Sequence, residues 1–307
     1  MERKVICIVG PTCSGKTNLG IFLAKKLNGE IISADSRQIY KYLNIGTAKP
    51  SALELKAVKH YFINKLFPGQ DFNVSKFEWD ALKIIQKIFD KGKQPIVVGG
   101  SGLYLKAVVD GIFATVDTDE DYRKELIELK EKYGNDYLYE ELKKNDALST
   151  EKMQPSNWKR IIRALEVYRL TGQPIGVHQK KYERMINFNF VQYGLKWERE
   201  YLYKNIENRV DQMIENGLVE EVKKILKKGY DKKLNSLNTV GYKEIISCLD
   251  NEITLDRAIE LIKRNTRRYA KRQMTWFRKD ERIKWFDVET SADLETISEK
   301  ILANFLY

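Results

Sequence analysis

The sequence predicts an α/β fold, a parallel sheet flanked by helices. Three observations point to it. Short apolar runs rich in β-branched residues, Lys4 to Val9, Glu30 to Ala34 and Pro95 to Val98, alternate with helical patterns. The first run leads straight into a glycine-rich turn and then a helix. All three runs end in residues suited to binding or reaction: Gly10, Asp35, and the stretch Gly99-Gly100-Ser101-Gly102. Strands alternating with helices imply a parallel sheet, and such sheets bind ligands at the carboxyl ends of their strands.

Each element has its own signal. Leu19, Phe22, Leu23 and Leu27 recur at helical spacing after the first strand. Ser75 and Glu78 form a capping-box pattern before a helix carrying Phe77, Leu82, Ile85 and Phe89, which Gly92 ends. From about Thr118 the chain turns highly charged, with helical periodicity and no strand runs. There Trp158, Ile161, Ile162, Leu165 and Tyr168 line one face of a helix closed by Gly172 and Pro174. Residues 118–189 are expected to form a small inserted helical domain, and residues 1–117 and 190–307 the α/β core. Phe188 to Leu195 reads as a strand returning to the core sheet. The remainder reads as helical, with a long helix from about Thr254 to Arg278.

Composition narrows the function classes. No apolar run approaches the ~20 residues of a membrane span. The first run, Val5 to Val9, is too short for a signal-peptide core. A cytoplasmic protein without a membrane partner is expected, as a monomer. The three cysteines, Cys7, Cys13 and Cys248, have neither metal-ligand spacing nor the parity of a disulfide framework. The net charge of +11 favours polyanionic partners, nucleic acid above all.

Residues Gly10, Pro11, Thr12, Cys13, Ser14, Gly15, Lys16 and Thr17 read GPTCSGKT, a match to G-x-x-x-x-G-K-[ST] between a strand and a helix. This is a P-loop, and it makes the core P-loop NTPase-like. Its glycines let backbone N–H groups converge on one point, and the helix N-terminus adds partial positive charge. Lys16 supplies a full charge, and the Thr17 hydroxyl can ligand Mg²⁺. A nucleotide hydrolase normally adds a strand ending in an acid that helps hold Mg²⁺. The candidate strand here, PIVVGGSG, ends in glycines. That favours binding of a polyphosphate without its hydrolysis. Asp35 has three readings: a Mg²⁺ ligand, a general base, or a cap for the turn that begins at Ser36.

GPTCSGKT, ADSRQIY at 34–40, IGTAKP at 45–50 and GGSGLYLKA at 99–107 resemble the tRNA dimethylallyltransferases. RIIRALEVYRLTG at 160–172, VGYKEI at 240–245 and YAKRQMTWFRK at 269–279 continue the resemblance in the family's order. It implies transfer of a dimethylallyl group from dimethylallyl diphosphate to N6 of an adenosine beside the tRNA anticodon, with Mg²⁺ as cofactor. The P-loop would then hold the prenyl diphosphate. Asp35 matches the family's general base, Ser101 and Arg123 match positions that assist at the diphosphate, and Arg209 matches an arginine near the reacting groups. For tRNA contact the resemblance implies Asp35, Ser36, Arg37 and Gln38, then Lys159, Arg160 and Arg163 on the insert. It adds Gly241, Lys243, Arg267, Arg268, Lys271, Arg272 and Arg278 toward the C-terminus. Asn64 and Phe67 stand where the family commonly has acids, and Ser101 where it usually has Thr.

Charge gives an independent reason to expect RNA. The window Leu255 to Lys284 holds eleven Lys or Arg and four Asp or Glu. Arg264, Arg267, Arg268, Lys271 and Arg272 recur at helical spacing, with Trp276 and Phe277 just beyond. One-sided charge beside aromatics suits a phosphate backbone better than a merely solvated helix face. On the insert, Arg160 and Arg163 oppose the apolar face of their helix, where a surface pair with Glu166 is the plainer reading. Three other functions share parts of this pattern: a small-molecule P-loop kinase, prenylation of free adenine nucleotides, and a module whose P-loop serves only folding around RNA.

Overall fold

The computed structural model describes residues 3–112, 116–151, 153–181 and 184–306. They form two compact units, one of residues up to Val109 together with those from Ile186 on, the other Asp110–Met185. The helical unit therefore runs from 110 to 185, not from 118 to 189. At its carboxyl side the reason is register: Asn189 is already paired with Lys4 in the core sheet.

The first unit begins with β1 (Lys4–Val9), α1 (Lys16–Lys26), β2 (Gly29–Ala34), α2 (Ala52–Ala57), β3 (His60–Tyr61), α3 (Val74–Asp90), β4 (Gln94–Gly99) and α4 (Gly102–Asp110). The helical unit carries α5 (Glu120–Tyr133), α6 (Asn135–Asn145), α7 (Ala147–Thr150), α8 (Trp158–Thr171) and α9 (Ile175–Lys181). The chain then rejoins the first unit as β5 (Asn189–Trp197), α10 (Arg199–Glu215), α11 (Leu218–Lys227), α12 (Tyr242–Leu249), α13 (Leu255–Phe277), β6 (Lys284–Val288) and α14 (Asp293–Leu306).

Among the described residues the sheet has six strands in the order β3-β2-β4-β1-β5-β6, every pair parallel. Strands buried on both faces read as continuous apolar runs, and β1 is buried from Val5 to Val9. Alternation sends Val5, Cys7 and Val9 to one face, against Phe77, Ile85 and Tyr104. Ile6 and Ile8 go to the other, with Leu19 and Leu23 of α1 and Ile297 and Ile301 of α14. Each such fully buried aliphatic side chain stabilises the fold by about 1.5–3 kcal/mol. The pairings Ala34 with Gly99 and Ile8 with Val98 bring the carboxyl ends of β1, β2 and β4 level, which gathers the P-loop, Asp35 and Gly100 at one rim.

Local details differ from the sequence reading. Helix α3 is capped by Asn73, whose side chain accepts from the Lys76 N–H at 2.9 Å; Ser75 and Glu78 lie inside the helix, too late to cap it. Phe22, expected on the buried face of α1, is exposed, and Ile21 is buried instead. β6 lies in a region read as helical, a five-residue edge strand among charges that gives little periodic signal.

The helical unit has a core of its own, in which Leu126, Leu138, Leu142, Ile161, Ile162 and Leu165 meet. Gly172 closes α8 in the left-handed conformation.

Candidate active site

The P-loop is held from several directions. Gly15 has φ +87°, and a Cβ there would lie 2.6 Å from Leu294 of α14, so only glycine fits. The Trp197 indole N–H donates to the Ser14 carbonyl at 3.0 Å. Gln273 of α13 accepts from the Thr12 N–H at 2.8 Å and donates to the Gly100 carbonyl at 2.8 Å. Lys16 opens α1 and donates to the Pro11 carbonyl. Burial pulls its ammonium down to about 8, with repulsion from Arg209 in the same direction and Cys13 and Asp35 opposing.

Arg209 of α10 reaches the same loop. Its Nη1 lies 3.3 Å from the Thr12 hydroxyl and 3.4 Å from the Cys13 sulfur. Cys13 also packs against Leu202, Ile206 and Ala270. Among the described residues no carboxylate pairs with Arg209, so its charge is available to an anion.

Asp35 follows β2, and its Oδ1 accepts from the N–H groups of Arg37 (2.7 Å) and Gln38 (3.2 Å). The turn cap is therefore realised, with one oxygen only. Oδ2 has no hydrogen bond to the chain among the described residues. Behind it the Ser101 hydroxyl accepts from the Ser36 N–H at 3.2 Å, and the Tyr269 hydroxyl lies beside Ser101. Burial, reinforced by the Asp35 carboxylate, pushes the Tyr269 phenol up to about 12, so it stays a neutral donor.

Two cavities adjoin here. The first, about 290 Å³, is lined by the P-loop from Thr12 to Thr17, Gln38, Lys49 and Gly100. The second, about 340 Å³, is lined by Ser36, Arg37, Val210, Met213, Lys243 and Arg272. They share Thr12, Cys13, Asp35, Thr47, Arg209 and Tyr269. Both are cationic: Lys16 and Lys49 line the first, with Glu54 as an added acid, and Arg37, Lys243 and Arg272 line the second. The second also has an apolar wall of Val210, Met213 and Ile262, which suits a planar base with polar edges. The Thr17 hydroxyl makes no hydrogen bond to the chain among the described residues and lines the first cavity. A hard oxygen donor beside a phosphate cradle fits Mg²⁺, which takes few protein ligands and completes its shell with phosphate and water.

A family model described as IPP transferase matches residues 38–280. The chain belongs to the IPP transferase family. It is 48% identical over 305 residues to the tRNA dimethylallyltransferase of Acetivibrio thermocellus, covering 99% of this chain and 96% of that one. The tRNA dimethylallyltransferase of Carboxydothermus hydrogenoformans is 47% identical, with 98% and 97% covered. The crystal structure of the full-length tRNA isopentenylpyrophosphate transferase from Bacillus halodurans is similar at a TM-score of 0.72 and 41% identity, over 99% of this chain and 96% of that one. A eukaryotic dimethylallyltransferase structure, from crystallographic snapshots of the enzyme acting on tRNA, gives 0.81 at 28% identity, over 98% and 80%. The resemblance carried by the motifs holds across the chain, and the P-loop NTPase-like fold expected of the core is that of these relatives.

For an IPP transferase the remaining expected residues fall into three groups. Arg37 and Lys243 line the second cavity, and Gly241 starts α12 with its N–H on Glu244 at 2.8 Å. Arg268, Lys271, Arg272 and Arg278 are exposed on or just after α13, as are Lys159 and Arg160 on α8. The third group is committed elsewhere. Gln38, expected at the tRNA, donates through Nε2 to the carbonyls of Thr47 and Ala48 (3.2 and 3.1 Å), and its Oε1 accepts from Ser33. Arg267 donates to Glu207 at 2.6 Å. Arg163 was expected to grip RNA, but it closes on Glu166 and on the carbonyls of Val116 and Asp117. Arg123 joins it, its Nε 2.7 Å from the other Glu166 oxygen. Burial alone would raise the Glu166 carboxyl. Hydrogen bonds from Arg123, Arg163 and the Asp119 N–H outweigh that and hold it below the ordinary range.

The sequence reading missed Gln273, Tyr269, Thr47 and Lys49. Gln273 had one available signal: an uncharged polar residue on the apolar side of an otherwise basic helix, where Ala270 and Phe277 are buried. Lys49 donates to the Tyr40 carbonyl, to Asn44 and to Asn64 at 2.6 Å, which gives Asn64 a role at a position where the family commonly has an acid.

Proposed function

We propose that the chain transfers a dimethylallyl group from dimethylallyl diphosphate to N6 of the adenosine next to the anticodon of tRNA. The carrying observation is the common wall of the two cavities, where Asp35 and Arg209 face both. The diphosphate lies in the P-loop cradle and the adenine in the second cavity. The bond from the prenyl C1 to the diphosphate oxygen breaks, and its electron pair leaves with diphosphate. The N6 lone pair forms the new N–C bond, and the N6 proton passes to the free oxygen of Asp35. Lys16, Arg209 and the loop amides stabilise the charge that builds on the leaving group. Mg²⁺, when bound, supplies further neutralisation of that charge; Thr17 is the residue that would hold it.

The exposed cations of α13 and Lys159 and Arg160 of α8 bind the RNA backbone. The chain works as a monomer, in the cytoplasm with its tRNA. Among the described residues no helix is long and apolar enough to cross a membrane. Labelled dimethylallyl diphosphate, Mg²⁺ and either unmodified tRNA or AMP test the reading: label should pass to tRNA. Label on AMP alone, or brisk ATP turnover with no prenyl transfer, would overturn it.

A further inference from the structure

Helix α13 presents exposed cations on one side, Arg268, Lys271 and Arg272. On the other it carries Gln273, which is 6% exposed. The carboxamide of Gln273 joins two loops that belong to different strands. Its oxygen takes the Thr12 N–H of the P-loop, and its nitrogen donates to the carbonyl of Gly100 beyond β4. The approach is close enough that a Cβ on Gly100 would lie 2.3 Å from the Gln273 nitrogen. The clasp is anchored along the helix. Tyr269, one turn earlier, stands in the wall between the cavities, and Trp276, one turn later, covers Gly102. A carboxamide carries an acceptor and a donor on separate atoms, so it can serve both places at once without a charge.

We infer that Gln273 is a positioning residue that couples the tRNA-binding helix to the diphosphate loop. The inference rests on the prenyl-transfer reading and adds the route between its two substrates. A pull on α13 by RNA phosphates moves one carboxamide, and that carboxamide sets the Thr12 amide and, through the Thr12 hydroxyl, Arg209. The loop then presents its amides to diphosphate with a geometry that depends on tRNA, and linkage makes the dependence reciprocal.

The test uses the full chain, inorganic pyrophosphate and unmodified tRNA. In the unaltered protein saturating tRNA should change the pyrophosphate Kd by ~5-fold or more. In Gln273→Met, which keeps volume but loses both hydrogen bonds, that ratio should fall to one. The single-turnover transfer rate should drop by roughly 10²-fold, the scale of a ~1 Å misplacement, with tRNA affinity unchanged. Gln273→Glu keeps the acceptor for Thr12 and should recover part of the rate. Gly100→Ala displaces the same carboxamide from outside, so it should reproduce the loss and be non-additive with Gln273→Met. If Gln273→Met does not fold, Gly100→Ala and Gln273→Glu decide. A wild-type rate and ratio in the folded variants, or a ratio of one in the unaltered protein, overturns the coupling. An unaltered protein that neither binds pyrophosphate nor transfers the prenyl group defeats the transfer reading instead.

Discussion

Arg209 and Arg163 are two arginines of one chain in opposite settings. Arg209 meets a hydroxyl and a thiol at the P-loop. Arg163, with Arg123, closes on a carboxylate that is fully buried in the helical unit. Both look alike in a count of charges. The difference is the counter-charge. A buried carboxylate needs its cations, and removing them leaves an uncompensated charge costing about 3–5 kcal/mol. An arginine among neutral groups keeps its field for a ligand. The rim of the sheet is built in this second way, with Lys16 drawn down to about 8 by burial and Arg209 unpaired among the described residues. The interior of the helical unit is built in the first.

The comparison breaks first at Asp35. Asp35→Asn keeps an oxygen for the N–H groups of Arg37 and Gln38 and removes the proton acceptor. Its single-turnover rate should fall by at least ~10²-fold with tRNA affinity intact. Rescue by excess Mg²⁺ would make the residue a metal ligand, and a normal rate would leave it a turn cap.

Arg209→Gln should lower transfer by ~10²–10³-fold while the melting temperature stays put. Joint replacement of Arg123 and Arg163 by Gln should do the converse, weakening the helical unit by about 3–5 kcal/mol. Hydrogen exchange on α8 reads that loss. A rate loss in the pair variant without loosening of α8 would return these arginines to the substrate. The Glu166 carboxyl lies below its unfolded value, so its stabilisation is present above the unfolded pKa and lost as pH falls through the folded one. Protection of the α8 amides, taken against the unstructured exchange rate at each pH, should therefore fall in acid.

Lys16 gives a pH signature on the other side. Burial holds its ammonium below the ordinary lysine range, at about 8. Pyrophosphate affinity should hold below that pH and then fall toward ~10-fold per unit above it. Lys16→Arg should flatten the profile, because a guanidinium stays charged. A flat profile in the unaltered protein would remove Lys16 from the diphosphate site.

The smallest effect belongs to the exposed row on α13. Neutralising Arg268, Lys271 and Arg272 should reduce the salt slope of tRNA binding by roughly 0.7–0.9 for each phosphate left without its cation. Arg267, already paired with Glu207, should contribute less than its neighbours.

What the sequence made legible was local. β1, the P-loop and α1 form one continuous segment whose glycines and lysine act on their own neighbours, so they were readable in order. The same holds for the long helix read from about Thr254 to Arg278, which is α13. What was hidden depends on partners far along the chain. The helical pattern marks Gln273 as an uncharged polar residue on a buried face, but its partner Thr12 is 261 residues away. The Glu166 pair with Arg163 was visible at three-residue spacing, but not that Glu166 would be sealed from water, and burial is what turns a surface pair into a commitment. Glu221 shows the same limit. It gathers the N–H groups of Asn44, Ile45 and Gly46 and the Tyr242 hydroxyl, and nothing near it in sequence announces that nest.

The indole of Trp197 on the Ser14 carbonyl spans 183 residues of chain. During translation at ~5–20 residues per second, Ser14 is made roughly 10–40 s before its partner. β1 waits that long for β5, and Gly15 waits longer still for Leu294. The helical unit, Asp110–Met185, is complete in sequence before either partner is made. The P-loop is thus among the last parts of the protein to be finished, although it is among the first to be synthesised.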